Sequence, residues 1–516
     1  MSDADQKALN ALAKGAGVTA IGMMVSKALT YLYRVSIARY VGPDAYGQLS
    51  LALMVTGIVS TVAYLAVGNG LKKFIPEFRT RDDMASIKGI VLNALELTVP
   101  LSLVLFGLVF FGAEFIATTF FDNTAIIPLI KILSFTIPIG TLVSIFFDTT
   151  LGFNKIIYKT GTVRILQNVV QLGVTLALLF LGFNVVSAAW GWLAGTTLSA
   201  ILGFYFMEKK VGPILFSDVK AKHHRKKLLH FSAPLLLSGI IGTLLGWADT
   251  GMLGYYMTDY EVGLYNAALP TAMLILLPHK AIGSLAITSF SELKERDAES
   301  IEASMQTATR WVFSLVLPTF LILLLFSETI LQILWGGQYT EASFALSILA
   351  CGYLINATVG RVGSFLNSTG HTRYILYNNI AALTLNLILN ILLIPIYGII
   401  GAAIATATST ILTNVLMFAE VWRKEDVVSI PFTPALKITI TGLLALLPVI
   451  GLDRVLFKNT PYWFLVPAGL IYGLTYMALY LAIVGLREEE REVLKRVGEL
   501  IGREKEIEKI LGLIIS

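Results

Sequence analysis

Runs of about twenty apolar residues, the length of a helix that crosses a bilayer, recur along the whole of this chain. Fourteen can be placed, near 15–40, 47–68, 88–112, 126–152, 161–182, 185–207, 231–257, 263–289, 308–334, 342–367, 374–395, 398–420, 436–457 and 462–485. Inside lipid every peptide group must be satisfied by the chain itself, which leaves helices or closed barrels. The ten-residue alternating segments of a barrel are absent. Only 14% of the residues are charged, against roughly 25% in soluble domains. The expectation is an all-α polytopic membrane protein with 14 transmembrane helices. Pro100, Pro138, Pro270, Pro278 and Pro318 fall inside spans, where a bundle tolerates them.

Lysines and arginines fix an orientation. With the N-terminus inside, the cytoplasmic loops carry Lys72, Lys73, Arg79, Arg81; Lys155, Lys159; Lys209, Lys210, Lys220, Lys222, Arg225, Lys226, Lys227; Lys294, Arg296; Arg373; Arg423 and Lys424. The opposite loops hold Arg39, Arg454 and Lys458. The expected location is the cell (cytoplasmic) membrane, multi-pass, with both termini cytoplasmic. No cleaved signal is apparent before the first span. The single cysteine, Cys351, excludes a disulfide framework or a thiolate zinc site.

The chain also looks like one unit written twice. Phe183-Asn184-Val185-Val186-Ser187-Ala188-Ala189 returns as Tyr397-Gly398-Ile399-Ile400-Gly401-Ala402-Ala403, about 214 residues later. Arg34 to Tyr40, running into Asp44-Ala45-Tyr46-Gly47-Gln48-Leu49, returns as Asp249 to Tyr255, running into Asp259 and Gly263-Leu264-Tyr265, at an offset of about 215. Duplicated spans argue for a transporter built from two halves around a central site. Each copy has six spans, an even number, so the two run parallel about an axis normal to the membrane. The basic loop 208–230 divides them. The expected domains are 1–222 (N-terminal half), 223–425 (C-terminal half), 426–486 (helices 13 and 14, outside the repeat) and 487–516, a cytoplasmic amphipathic tail with Leu494, Val497, Ile501 and Leu511 at near-helical spacing.

Gly42-Pro43-Asp44-Ala45-Tyr46-Gly47 and Leu393-Ile394-Pro395-Ile396-Tyr397-Gly398-Ile399-Ile400-Gly401-Ala402-Ala403 resemble span junctions of the multidrug/oligosaccharidyl-lipid/polysaccharide exporter superfamily, in its polysaccharide flippase branch. The resemblance covers about residues 15–485. It implies an inverted-V, two-lobe transporter that flips a lipid-linked oligosaccharide or polysaccharide repeat unit from the cytoplasmic to the outer leaflet by alternating access. The partners it implies are a polyprenyl-(pyro)phosphate-linked glycan, membrane lipids and glycan-assembly enzymes, and no nucleic acid. A cation-coupled drug or metabolite antiporter, a peptidoglycan lipid-precursor flippase and a scaffold of a glycan-assembly complex are the alternatives.

Ionisable residues inside the membrane cost several kcal/mol unless they face a cavity or a partner. Lys27, Tyr31 and Arg34 share one face of the first span at spacings of four and seven. With Lys280 on the eighth span and Arg361 on the tenth they would form a cationic cavity for a phosphate or pyrophosphate head group. Alternatively these cations pair with Glu96, Asp148 or Asp249, or snorkel to an interface. Asp249 falls at similar depth to Asn386, Asn390, Thr406 and Thr410. That set reads either as a site for a coupling ion, Na+ or H+, or as a polar cluster that glues helices. No other cofactor and no certain metal site is indicated.

No phosphate loop, serine elbow or His-Glu zinc helix occurs, so no enzyme is expected. His223 and His224 read as solvated members of the basic loop. His279-Lys280 is the one pair that could serve membrane-embedded group transfer, and the short outer loops argue against a ligase.

Overall fold

The computed structural model describes residues 3–279, 298–359, 361–369, 371–425, 427–456 and 461–485. All secondary structure in these residues is helical. Twelve stretches are long and apolar enough to cross a membrane. One of them, Val25–Arg79, has 55 residues, about twice what a bilayer needs. It takes in the helix α1 (Asp3–Tyr64) from Val25 onward, and that helix breaks at Gly42 with φ 81 and ψ 173. Only glycine adopts that φ without strain. Pro43, with no amide hydrogen to leave unpaired, suits the start of the next arm. The junction read from the sequence thus becomes a sharp bend dividing α1 into two arms. A second break follows at Leu65 and Ala66, whose φ values are 52 and 53, and leads into α2 (Val67–Arg79).

The principal helices that follow are α3 (Met84–Phe111), α4 (Thr136–Gly152), α5 (Gln167–Phe180) and α6 (Val186–Tyr205); then, beyond the linker, α7 (Arg225–Tyr256), α8 (Asp259–Ala272), α9 (Ala298–Leu325), α10 (Ser343–Val359), α11 (Thr372–Tyr397), α12 (Ile399–Glu425), α13 (Phe432–Leu456) and α14 (Leu465–Leu479). The helix α6, of 20 residues, is additional to the twelve apolar stretches.

The second arm of α1 runs along α7. Gly57 faces the indole of Trp247 and Gly251 faces Met54. The Thr61 and Thr243 hydroxyls lie 3.1 Å apart. Small residues at such crossings let helices approach where lipid offers no hydrophobic drive.

Buried apolar side chains fall into three groups. The largest draws on both halves, including Tyr33, Leu49, Leu253, Tyr265, Trp335 and Leu346. The second lies at the basic end of the N-terminal half, around Leu71, Ile87, Ile145 and Met207. The third lies at the basic end of the C-terminal half, around Met305, Val362, Leu366 and Val421. Among the described residues the halves therefore share a core at one end and have two cores at the other, the N-terminal one taking in Leu228 from the start of α7.

The linker docks on α3. The Lys222 amide donates to the Ala85 carbonyl at 2.9 Å, and Lys88 Nζ donates to the Ser217 carbonyl at 2.5 Å. This corrects the expectation that His223 and His224 are merely solvated. His223 Nδ1 is 2.6 Å from Asn93 Oδ1. His224 Nε2 is 2.8 Å from Ser86 Oγ, and its ring stacks on Phe78 at 5.0 Å. Periodicity alone could not reveal that the linker folds back onto the preceding half. The expected tail, 487–516, lies outside the described residues.

Candidate functional site

Asp249 sits on α7 and is 6% exposed. Four side chains from three other helices donate to its carboxylate. Oδ1 accepts from Asn386 Nδ2 at 3.0 Å and from Asn390 Nδ2 at 2.8 Å, both on α11. Oδ2 accepts from the Tyr265 hydroxyl of α8 at 2.5 Å and from the Thr406 hydroxyl of α12. Burying a charge is tolerable only when its lone pairs are so filled. One buried acceptor is left over: Asn390 Oδ1, in a fully buried residue, has no hydrogen-bond partner among the described residues. The sequence-derived set is thus assembled, with Thr410 as the exception. Its carbonyl accepts from Asn414, and it adds no hydrogen bond to the cluster. Tyr265 is the member that sequence reading missed.

At the end away from the basic loops the two halves are sealed by a roof. The repeat glycines make its crossing point. A Cβ on Gly47 would stand 1.9 Å from the Asp259 carbonyl oxygen, and a Cβ on Gly263 would stand 2.0 Å from that of Pro43. The contact is reciprocal. Gln48 Nε2 donates to Asp259 Oδ2 at 3.0 Å, and Asn123 donates to the same oxygen. Below the crossing lies Trp335, fully buried, whose Nε1 donates to Thr271 Oγ1 at 2.9 Å and to the Tyr31 hydroxyl at 3.2 Å. Tyr46 and Tyr339 pack against the same indole at 5.7 and 5.9 Å between ring centres.

Under this roof the first arm of α1 carries Arg34, half-buried, and Lys27, exposed. The Arg34 guanidinium lies beside the Tyr46 hydroxyl. Tyr46 in turn reaches the Asn266 carbonyl of α8 at 3.5 Å. The three carboxylates offered from the sequence as partners are engaged elsewhere. Glu96 holds Arg225 at 2.6 Å. Asp148 holds Lys159 at 2.7 Å and accepts from Tyr64. Asp249 is filled as described. Lys280 and the side chain of Arg361 lie outside the described residues.

Residues 36–344 match the family described as Polysaccharide biosynthesis protein. The chain belongs to this family. It is similar to the probable low-salt glycan biosynthesis flippase Agl15 of Haloferax volcanii, at 25% identity over 389 residues, which are 75% of this chain and 79% of that protein. It is similar to stage V sporulation protein B of Bacillus subtilis at 24% identity, over 79% of this chain and 83% of that one. Among solved structures its fold is like that of the lipid II flippase MurJ in an inward closed conformation, with a TM-score of 0.71, 18% identity, and 90% and 99% of the two chains covered. A multidrug resistance MATE family transporter in an inward-facing conformation follows at a TM-score of 0.63 and 16% identity, with 80% and 98% covered. This family member is accordingly a multi-pass membrane transporter rather than an enzyme.

Sequence reading singled out Arg34 and Asp249 but did not reveal the roof between the halves. Trp335 and Thr271 are separated from Tyr31 by 304 and 240 residues. A tryptophan and a threonine in apolar runs carry no signal of such a meeting. The one available hint was the Gly336-Gly337 pair after Trp335, which marks a turn at the end of a span.

Proposed function

We propose that this protein flips a lipid-linked oligosaccharide or polysaccharide repeat unit from the cytoplasmic to the outer leaflet. Its basic end faces the cytoplasm, termini included, by the positive-inside rule. Fourteen crossings follow if the break at Gly42 divides two spans and α6 is a span of its own; spans one to six and seven to twelve then form two parallel repeats.

The observation that carries this reading is the half-buried Arg34 beneath a roof that joins the two halves, with Glu96, Asp148 and Asp249 all committed to other partners. A guanidinium in that position grips a phosphate or pyrophosphate through two parallel hydrogen bonds. Lys27, nearer the basic end, adds charge along the same face; Lys280 and Arg361 are candidates from the other half on the sequence alone. The lipid tail stays in the bilayer while the head group enters between the halves. Transport then requires the roof to part and the basic ends to close. Glycan-assembly enzymes would supply the substrate on the cytoplasmic side.

A coupling ion, Na+ or H+, belongs at Asp249. One carboxylate among neutral oxygens suits a monovalent ion better than a divalent one. Asn386, Asn390 and Thr406 would hold Na+ beside it, and the orphan Asn390 Oδ1 fits that donor set.

The test is flipping of a fluorescent lipid-linked oligosaccharide by the purified protein in liposomes. The Lys27→Ala, Arg34→Ala double mutant should lose at least about 100-fold in rate, since each charged hydrogen bond contributes roughly 1.5–3 kcal/mol. Full flipping by the double mutant refutes the cationic cavity, and drug export without glycan flipping by the wild type refutes the function. A peptidoglycan lipid precursor, offered in a parallel assay, decides whether the pyrophosphate or the glycan selects the substrate.

A further inference from the structure

Above the roof, on the outer face, lies a cavity of about 590 Å3 between residues 38–44 of the N-terminal half and 335–339 of the C-terminal half. Ordinary small-ligand sites measure roughly 300–1,000 Å3. Its side-chain walls are Arg39, Tyr40, Asp44 and Gln338. Each wall segment turns at a glycine of positive φ, 81 at Gly42 and 107 at Gly336, so peptide groups line the cavity as well. One cation faces one anion, with an amide and a phenol beside them. That lining offers donors and acceptors with no excess of either charge. It suits a neutral, hydroxyl-rich ligand and does not suit a phosphate or an apolar one.

The floor of the cavity is the roof itself, because Trp335 and Tyr339 belong to both. The walls come from opposite halves and are tied together by Arg39 Nη1 donating to the Ile333 carbonyl at 3.1 Å and by the Tyr339 hydroxyl donating to the Ala38 carbonyl at 3.0 Å. Opening the roof pulls the walls apart and destroys the cavity.

We propose that this cavity is an outer-face carbohydrate subsite that exists only while the roof is shut. It rests on the flippase reading above, which supplies sugar on this face. A ligand can shift a conformational equilibrium only through its preference for one state. Delivered glycan held here prefers the closed roof. It therefore opposes reopening toward the outer face and acts as a product inhibitor of its own export.

The probe is the lipid-free oligosaccharide released by mild acid from the lipid-linked glycan used in the flipping assay. Calorimetry on the purified full-length protein should show saturable binding. Gln338→Ala and Arg39→Ala should each weaken it about tenfold or more. Gly47→Val touches no part of the cavity but blocks closure, and should abolish binding; size-exclusion and thermal unfolding check that it is folded. As a second arm, Gln48→Cys with Asp259→Cys, in a Cys351→Ala background, should bind when oxidised across the closed roof. Wild type that flips the lipid-linked parent yet does not bind the free oligosaccharide overturns the subsite and leaves the flippase reading intact. Binding that survives Gln338→Ala and Arg39→Ala unchanged, or that survives in a folded Gly47→Val protein, also overturns it. Wild type that fails to flip the parent counts against the flippase reading instead.

Discussion

Arg34 and Asp249 stand 215 residues apart, at matching places in the two copies of the repeat, and their surroundings could hardly differ more. Asp249 is buried, and donors from three helices fill its carboxylate. Arg34 is half-buried, lies beside the Tyr46 hydroxyl and forms no ion pair among the described residues. A guanidinium has five N–H groups. One charge is thus satisfied by the protein, and the other keeps capacity for something the protein does not supply. At matching places in the sequence, one half thus holds a carboxylate among protein donors and the other a cation with donors to spare.

The comparison can be broken most severely at Asp249. Asp249→Ala leaves four donors without their acceptor, each costing roughly 1–3 kcal/mol when buried. The expected loss in unfolding free energy is about 3 kcal/mol or more, read by denaturation in detergent, and any stabilisation by added Na+ should vanish with it. Arg34→Ala should do the reverse, with little change in stability and a loss of at least about tenfold in flipping; equal destabilisation by both substitutions would end the distinction.

The roof comes next, because both sites depend on it to separate the two sides of the membrane. Gly47→Val puts side-chain atoms where the Asp259 carbonyl lies. Overpacking of this kind costs about 1–3 kcal/mol, here concentrated on the closed state. Labelling of a cysteine placed below the roof by a membrane-impermeant reagent from outside should rise in this variant. Trp335→Phe should have a smaller effect. It removes the donor to Thr271 and Tyr31 while keeping most of the packing, and should slow flipping by about tenfold.

The smallest expected effect lies in the linker. Burial pushes the His224 imidazole below its ordinary value of 6.5, with Lys222 and Lys227 acting in the same direction. A lowered folded value means that the undocked state takes up the proton first. Docking is therefore complete above about pH 6.5 and weakens as the pH falls from there toward the folded value. Hydrogen exchange of residues 217–224 should quicken on acidification, and His224→Gln should flatten that dependence.

The site was legible in the sequence to the extent that its members are rare in lipid. Asp249, Asn386, Asn390 and Thr406 stood out because polar groups at one depth have few reasons to be there, and the fold brings them together. Lys27 and Arg34 stood out for the same reason. Glu96 and Asp148 were equally visible, but their partners were not. Arg225 and Lys159 come from basic loops whose charges also serve as topology signals, so composition could not say which of them folds back to a carboxylate. Tyr265 and Trp335 were hidden among many aromatics, most of which pack or face lipid.

By itself the sequence determined the helical, membrane-spanning class, the order of the spans and the bend at Gly42, because bilayer thickness and backbone hydrogen bonding leave no other solution for such runs. Only the tertiary structure decided which repeat glycines meet, that Trp335 closes the path above Arg34, and that Asp249 is satisfied while Arg34 keeps donors to spare. Those outcomes depend on contacts between residues hundreds of positions apart, and local periodicity carries no information about which distant helix faces will touch.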